Sequence, residues 1–325
     1  MYSFNLKERI FRISTEDEFD QLSLEVYNYQ KDHCPVYGSF VEMLKRKKPL
    51  NYREIPCLPI SLFKEKEIIS TGSTVEMTFL SSGTGGMERS RHLVADTEIY
   101  KTSFELAYRK FIGNPEKQVI LALLPNYLEQ GDSSLVYMVK ALIKMTDSSL
   151  SGFVLNDFQQ LTERYQQALE QERSVVIFGV SYALLDLAAQ KPDLSMAKII
   201  ETGGMKGKRK ELPKEELHRL IRDGLGVANV LSEYGMTELL SQAYSNEAGI
   251  FHTPEWMKVL VRDVNDPFSY VVDGKTGGVN VIDLANLNSC AFIATQDLGK
   301  REGSSFRILG RFDQSDIRGC NLMVE

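Results

Sequence analysis

VEMTFL (75–80) runs straight into SSGTGG (81–86) and MERSRH (87–92), and the reading of this stretch decides what kind of fold the chain can have. Apolar residues alternate at Val75, Met77 and Phe79, the period of a half-buried strand. Gly83, Gly85 and Gly86 then let the backbone turn with its N–H groups converging, and Ser81, Ser82 and Thr84 add hydroxyl donors. A strand ending in such a concavity can hold a polyphosphate. The same composition also suits a plain surface loop. The stretch is not the G-x-x-x-x-G-K-[ST] phosphate loop. Nor is GGMKGKRK (203–210), where three residues separate Gly203 from Gly207 and Arg209 stands at the Ser/Thr place.

Outward from this stretch, helical spacing predicts helices over 97–111, 134–144, 158–170, 182–189 and 213–223. QVILALL (118–124), SVVIFGV (174–180), residues 197–202 and VANVLS (227–232) read as strands between them. Strands alternating with helices imply parallel crossovers and a sheet covered on both faces. After residue 250, MKVLVRDV, YVVDG, GGVNVIDL, CAFIAT and FRILGRF are short β-like runs separated by Asn, Asp and Gly. Upstream, Thr15 with Glu18 fits a capping box, and Phe19, Leu22 and Val26 continue a helix towards Pro35. Lys45-Arg46-Lys47-Lys48 reads as a solvated helix end. Pro56 and Pro59, in IPCLPISLFK (55–64), exclude continuous helix or a central strand there. The expected organisation is a helical segment with a Pro-rich connector (1–74), an α/β nucleotide-binding core (75–250) and a β-rich portion (251–325).

The 325 residues are 43% hydrophobic and 25% charged, which fits a soluble globular protein and excludes a disordered chain. A net charge of -6 argues against a general nucleic-acid binder, so an anionic substrate needs a local positive site. The longest strongly apolar run, Val119 to Leu124, is far short of the roughly 18 residues of a membrane span. Lys7, Glu8, Arg9 and Arg12 interrupt the amino end where a signal peptide would be apolar. Cys34, Cys57, Cys290 and Cys320 lie far apart without a C-x-x-C pair, so reduced thiols and a cytoplasmic location are expected.

YGMTE (234–238) places a ring, a hydroxyl and a carboxylate within five residues, enough to stack a base, bind phosphate and hold Mg²⁺. Asp297 in TQDLG can accept two ribose hydroxyls, and Arg311 in GRFD can approach a sugar or phosphate. In this order, SSGTGG, GGMKG, YGMTE, TQDLG and GRFD resemble the signature series of the adenylate-forming superfamily, which includes acyl-CoA synthetases, firefly luciferase and peptide-synthetase adenylation domains. The resemblance implies an α/β fold with parallel-type sheets flanked by helices, and a ligase that joins a carboxylate to AMP. It implies that Ser81, Ser82, Gly83, Thr84 and Gly85 cradle the β/γ-phosphates of ATP, and that Gly203 and Gly204 line the adenine pocket. On the same resemblance Tyr234 stacks on adenine, Thr237 contacts the α-phosphate, Glu238 binds Mg²⁺, and Asp297 holds the ribose with Arg311 nearby.

IPCLPISLFK, SSGTGG with Ser90-Arg91-His92, and the closing DIRGCNL (316–322) are similar to the acyl-protein synthetases of the bacterial bioluminescence fatty-acid reductase system (LuxE type). That family implies a fatty acid activated with ATP, its transfer to a cysteine near the carboxy terminus, here Cys320, and hand-over to an acyl-reductase partner. An unperturbed thiol with a pKa of ~8.5 is only a few per cent thiolate at neutral pH, and Arg318 two residues away would lower that value. The loop departs from the superfamily's S-G-T-T-G-x-P-K: Gly85 replaces the second Thr, Glu88 the Pro and Arg89 the Lys. Arg keeps the charge, and a catalytic role is expected of Arg89, but it is not an equivalent phosphate ligand. The chain is expected to lack the superfamily's mobile carboxy-terminal domain and its Lys. Lys206, Lys208, Arg209, Arg91 and His92 are the candidates to stand in for it.

Three other readings stand beside this one. A coenzyme A or carrier-protein ligase acting on an acyl or aryl acid is the near variant. A serine acyl hydrolase is suggested by GVSYA (179–183), with Ser181 between strand and helix and Asp223 and His252 downstream. A non-catalytic nucleotide-binding module is the third.

Overall fold

The computed structural model describes residues 2–82, 88–124, 132–155, 157–203, 212–246 and 249–312. Two compact units divide the chain, Met1–Gly72 with Glu255–Glu325, and Ser73–Pro254.

The first unit begins with α1 (Tyr2–Ile10), α2 (Glu16–His33) and α3 (Pro35–Leu44). The capping box at α2 is formed: Thr15 Oγ1 accepts from Glu18 N at 3.2 Å, and the Glu18 carboxylate accepts from Thr15 N at 3.1 Å. Pro35 closes α2 and opens α3, since its missing N–H is harmless in a first turn. Lys45 ends α3 at φ 51°, and the basic residues from there to Lys48 are exposed. The two prolines hold the connector to a two-residue strand, β1 (Leu58–Pro59), followed by α4 (Leu62–Glu65).

The second unit opens with an antiparallel pair, β2 (Met77–Leu80) and β3 (Arg91–Val94), which brackets the Gly-rich stretch. Then follow α5 (Thr97–Phe111), β4 (Gln118–Leu123), α6 (Ser134–Met145), β5 (Gly152–Phe153), α7 (Phe158–Glu170), β6 (Ser174–Val180), α8 (Ser181–Ala189), β7 (Ala197–Thr202) and α9 (Lys214–Leu225). β8 (Val230–Tyr234), β9 (Ala243–Ser245) and β10 (Phe251–His252) complete it. These strands lie in the order β10-β9-β8-β7-β6-β4-β5, with β5, β4, β6, β7 and β8 parallel. Every residue of β4 and all but the first of β6 are buried, as strands covered on both faces must be. β8 starts three residues later than expected from VANVLS, because Gly226 closes α9 at φ 70° and the next residues are used in the connection. Tyr234 therefore ends the strand instead of following it.

The first unit resumes with β11 (Met257–Arg262), β12 (Thr276–Asp283), β13 (Phe292–Glu302) and β14 (Ser305–Arg311), consecutive antiparallel neighbours, with β1 parallel to the start of β13. YVVDG does not form a strand; Tyr270 makes only an isolated bridge to Arg262. β13 continues through TQDLG because its alternation persists, with Thr295, Asp297 and Gly299 on the buried side. Gln30 of α2 ties this unit together: its buried carboxamide donates to Asn286 O and Leu287 O and accepts from Ala291 N. No helix among the described residues is long and apolar enough to cross a membrane.

Candidate active site

In the second unit, the Gly-rich stretch is the connection between β2 and β3, and its neck is pinned by its own ends. Ser81 N donates to Ser90 O at 3.0 Å, Ser90 N donates to Ser81 Oγ at 2.8 Å, and Arg89 Nε donates to Ser81 O at 2.5 Å. Ser82 is exposed beside this neck. Gly83, Thr84 and Gly85 lie outside the described residues. Arg89, expected to replace a phosphate-binding Lys, thus has one donor committed to the neck. Leu80 pairs with Arg91, and Phe79 with His92. His92 is buried, and its Nδ1 lies 2.8 Å from the Thr237 carbonyl oxygen.

That contact joins the hairpin to the turn after β8. Tyr234, the last strand residue, is buried with its ring edge-on to Phe251, centroids 5.8 Å apart. Gly235 follows where a side chain would collide with the Glu233 carboxyl, and the turn closes through Leu239 N donating to Met236 O at 3.1 Å. Thr237 is half-buried and Glu238 buried. Gly203 leaves β7 at φ 71°, a conformation that favours glycine. Gly204, Lys206, Lys208 and Arg209 lie outside the described residues.

Two carboxylates that sequence reasoning did not single out sit at the same carboxyl end of the sheet. Adjacent residues on a strand face opposite ways, so the register Glu201↔Ser232 and Thr202↔Glu233 puts Glu201 on one face and Glu233 on the other. Glu201 accepts from Ser181 Oγ and Lys214 Nζ at 2.5 Å and from Ser232 Oγ at 3.0 Å, with His218 Nε2 3.9 Å away. Burial would raise its pKa, but the Lys214 charge and these hydrogen bonds outweigh that and hold it at about 2. Glu233 accepts from Thr202 Oγ1 at 2.5 Å, and burial dominates there, raising its carboxyl to about 7. The only sequence signal for either was a charged residue at the end of an otherwise apolar strand.

Ser181, the hydrolase candidate, is corrected by this network. It is buried, and its hydroxyl donates to a carboxylate too acidic to act as a base near neutral pH. Asp223 is exposed and paired with Arg219 on α9, and His252 lies on β10 opposite Tyr244.

In the first unit, Asp297 and Arg311 are register partners on β13 and β14. Arg311 Nε donates to Asp297 Oδ1 at 3.2 Å from a side chain 79% exposed, whereas the carboxylate is 8% exposed. Thr295 Oγ1 accepts from Asp297 N and donates to Val279 O, which fixes the strand at that point. Cys320 lies outside the described residues. Burial raises the thiols of Cys34 and Cys290 and pushes Cys57 up to about 12, so none of the three is a ready nucleophile.

A hairpin presenting the Gly-rich connection and bonded to the turn after a parallel strand suits anchorage of a nucleotide at the carboxyl edge of the sheet. The family model for acyl-protein synthetase, LuxE, matches residues 2–325. The chain belongs to this family. Among solved structures, it is similar to ATP-bound MatB from Rhodopseudomonas palustris, at 18% identity and a TM-score of 0.55, covering 75% of this chain and 49% of that one. It is also similar to 2-hydroxyisobutyryl-CoA ligase in complex with 2-HIB-AMP and CoA, at 14% identity and a TM-score of 0.66, covering 94% and 71%. The luciferase-like enzyme of the mealworm Zophobas morio is a third, at 16% identity and a TM-score of 0.51, covering 77% and 59%. These likenesses show that the chain shares the fold of these enzymes; it spans about half the length of the MatB structure. No curated protein matches the sequence.

Proposed function

We propose that this acyl-protein synthetase family member activates a carboxylic acid, read as a long-chain fatty acid, with ATP and passes the acyl group to Cys320 for delivery to a reductase. A carboxylate oxygen attacks the α-phosphorus in line; that O–P bond forms as the bond to the bridging oxygen breaks, and pyrophosphate leaves. The Cys320 thiolate then attacks the acyl carbon, and the C–O bond to AMP breaks. The observation that most supports this reading is the hydrogen bond from the SSGTGG hairpin to the YGMTE turn within one unit. It brings together the two segments to which the motif series gives the phosphates and the α-phosphorus.

The backbone and hydroxyls from Ser81 to Gly85 would hold the β/γ-phosphates, and the Thr237 hydroxyl would donate to the α-phosphate. Gly203 and Gly204 would line the adenine pocket against Tyr234; in the first unit, Asp297, held by Arg311, is the carboxylate to which the motif series gives the ribose. Glu238 suits Mg²⁺, which takes one or two protein carboxylates with phosphate oxygens making up the rest. Among the described residues no group of three or more His, Cys, Asp or Glu could hold a metal by itself. Bound Mg²⁺ would offset charge developing on the phosphates.

Carboxylic-acid-dependent ATP–pyrophosphate exchange tests the first step, and retention of labelled acyl group on the protein tests the second. The expected result is exchange with long-chain acids in both the wild type and Cys320→Ser, with acyl retention lost in the variant. Nucleotide binding without exchange for any acid would select a non-catalytic module. Acyl retention by Cys320→Ser would move the acceptor elsewhere, and turnover with free coenzyme A would favour the ligase variant.

A further inference from the structure

We propose that His92 is a positioning residue whose Nδ1–H, donated to the Thr237 carbonyl, locks the Gly-rich hairpin to the peptide that joins Thr237 and Glu238. The inference rests on the adenylation reading above and adds a residue to which that reading gave no such task. A carbonyl oxygen only accepts, so a hydrogen bond at 2.8 Å requires the proton on Nδ1. Burial, partly opposed by the Thr237 contact, lowers the imidazole to about 4, so the ring is neutral and holds one tautomer across the working range.

The oxygen it holds is well placed for control. The Thr237 C=O and the Glu238 N–H share one rigid peptide plane with both Cα atoms, so holding that oxygen restrains the plane on which the two side chains are mounted. The hairpin has four residues in each strand; Phe79 packs on Tyr100 and Tyr137 and Leu80 N donates to Asp132 O, which anchor it to the helical layer but not to the YGMTE turn. Its neck is pinned internally by the Ser81–Ser90 and Arg89–Ser81 hydrogen bonds, while His92 ties it to the turn 145 residues away. Losing the tie would let the two phosphate-facing segments drift relative to each other, and a misplacement of about 1 Å can lower a rate on the order of 100-fold.

His92→Phe fills the site without a donor, His92→Asn offers an amide N–H close to the Nδ1 position, and His92→Gln offers one near Nε2. The measurements are kcat and KM for ATP in acid-dependent exchange, thermal melting, and ¹⁵N spectra of the wild-type imidazole. The expected result is an exchange rate about 10- to 100-fold lower in His92→Phe, with recovery in His92→Asn and not in His92→Gln. If His92→Phe does not fold, the Asn–Gln contrast decides. Equal exchange by the folded variants and the wild type, or no advantage of Asn over Gln, overturns the proposal. A wild-type ring protonated on Nε2 overturns it whatever the activity. Absence of exchange in the wild type overturns the adenylation reading instead, because the tautomer can still be read.

Discussion

Glu201 and Glu233 occupy the same end of neighbouring parallel strands, one residue out of step, yet Glu201 is held at about 2 and Glu233 rises to about 7. The difference lies in what each sheet face supplies. On the Glu201 face, α8 and α9 contribute Ser181, Lys214 and His218, and β8 contributes Ser232, so a buried anion meets a cation and two hydroxyls. On the Glu233 face the carboxyl has Thr202 and an antiparallel neighbour, Tyr244. The Tyr244 hydroxyl and Gln242 Oε1 are buried there with no hydrogen-bond partner among the described residues. Buried polar groups are ordinarily satisfied. One face is thus a finished structural joint, while the other leaves two buried polar atoms unsatisfied on the segment that follows YGMTE. Proximity to the motif does not set the protonation state of a buried carboxylate; the completeness of its hydrogen bonding and the presence of a cation do.

The largest expected effect falls on the finished face. Glu201→Leu leaves the buried Ser181 and Ser232 hydroxyls without their acceptor, at about 1–3 kcal/mol each, while Lys214, its side chain 36% exposed, turns to water at little further cost. Because the Glu201 carboxyl is more acidic in the folded chain than its ordinary 4.5, its contribution is present above about pH 4.5 and is lost as pH falls towards 2. Urea titrations at pH 7 and pH 3 should show the variant's deficit shrinking at the lower pH. A deficit below about 1 kcal/mol at pH 7 would break the comparison.

A smaller effect of opposite sign belongs to Glu233. Its folded carboxyl is less acidic than usual, so stability is greatest below about pH 4.5 and is lost as pH rises through about 7. Glu233→Gln keeps the shape and removes the charge, and should gain on the order of 2–3 kcal/mol at pH 8 and little at pH 4. Equal differences at both values would mean that the two faces treat their carboxylates alike.

Much of this architecture was legible from local signals. The Thr15–Glu18 box, the fully apolar runs of β4 and β6, and the helix at Thr97–Phe111 each carry their own period or cap. β3 was not foreseen because Arg91 and His92 begin it with polar side chains, one of them buried through a distant partner. β8 begins later than VANVLS because the residues after Gly226 form the connection, and it runs on through Glu233, whose charge hides the end of the strand from an apolar pattern. The motif residues at the candidate site were legible as types in order. The bonds that arrange them were not, since His92–Thr237 spans 145 residues and Ser232–Glu201 spans 31, distances over which no local pattern carries information.

The central claim is that a carboxylate oxygen attacks the α-phosphorus of ATP, and the fate of that oxygen tests it most directly. A fatty acid labelled with ¹⁸O in its carboxylate, turned over with ATP and a thiol acceptor, should deliver a labelled oxygen to AMP when the acyl group leaves. Mass spectrometry showing label in AMP is the predicted result. Label in inorganic phosphate with ADP formed, or nucleotide hydrolysis that leaves AMP unlabelled, would contradict it.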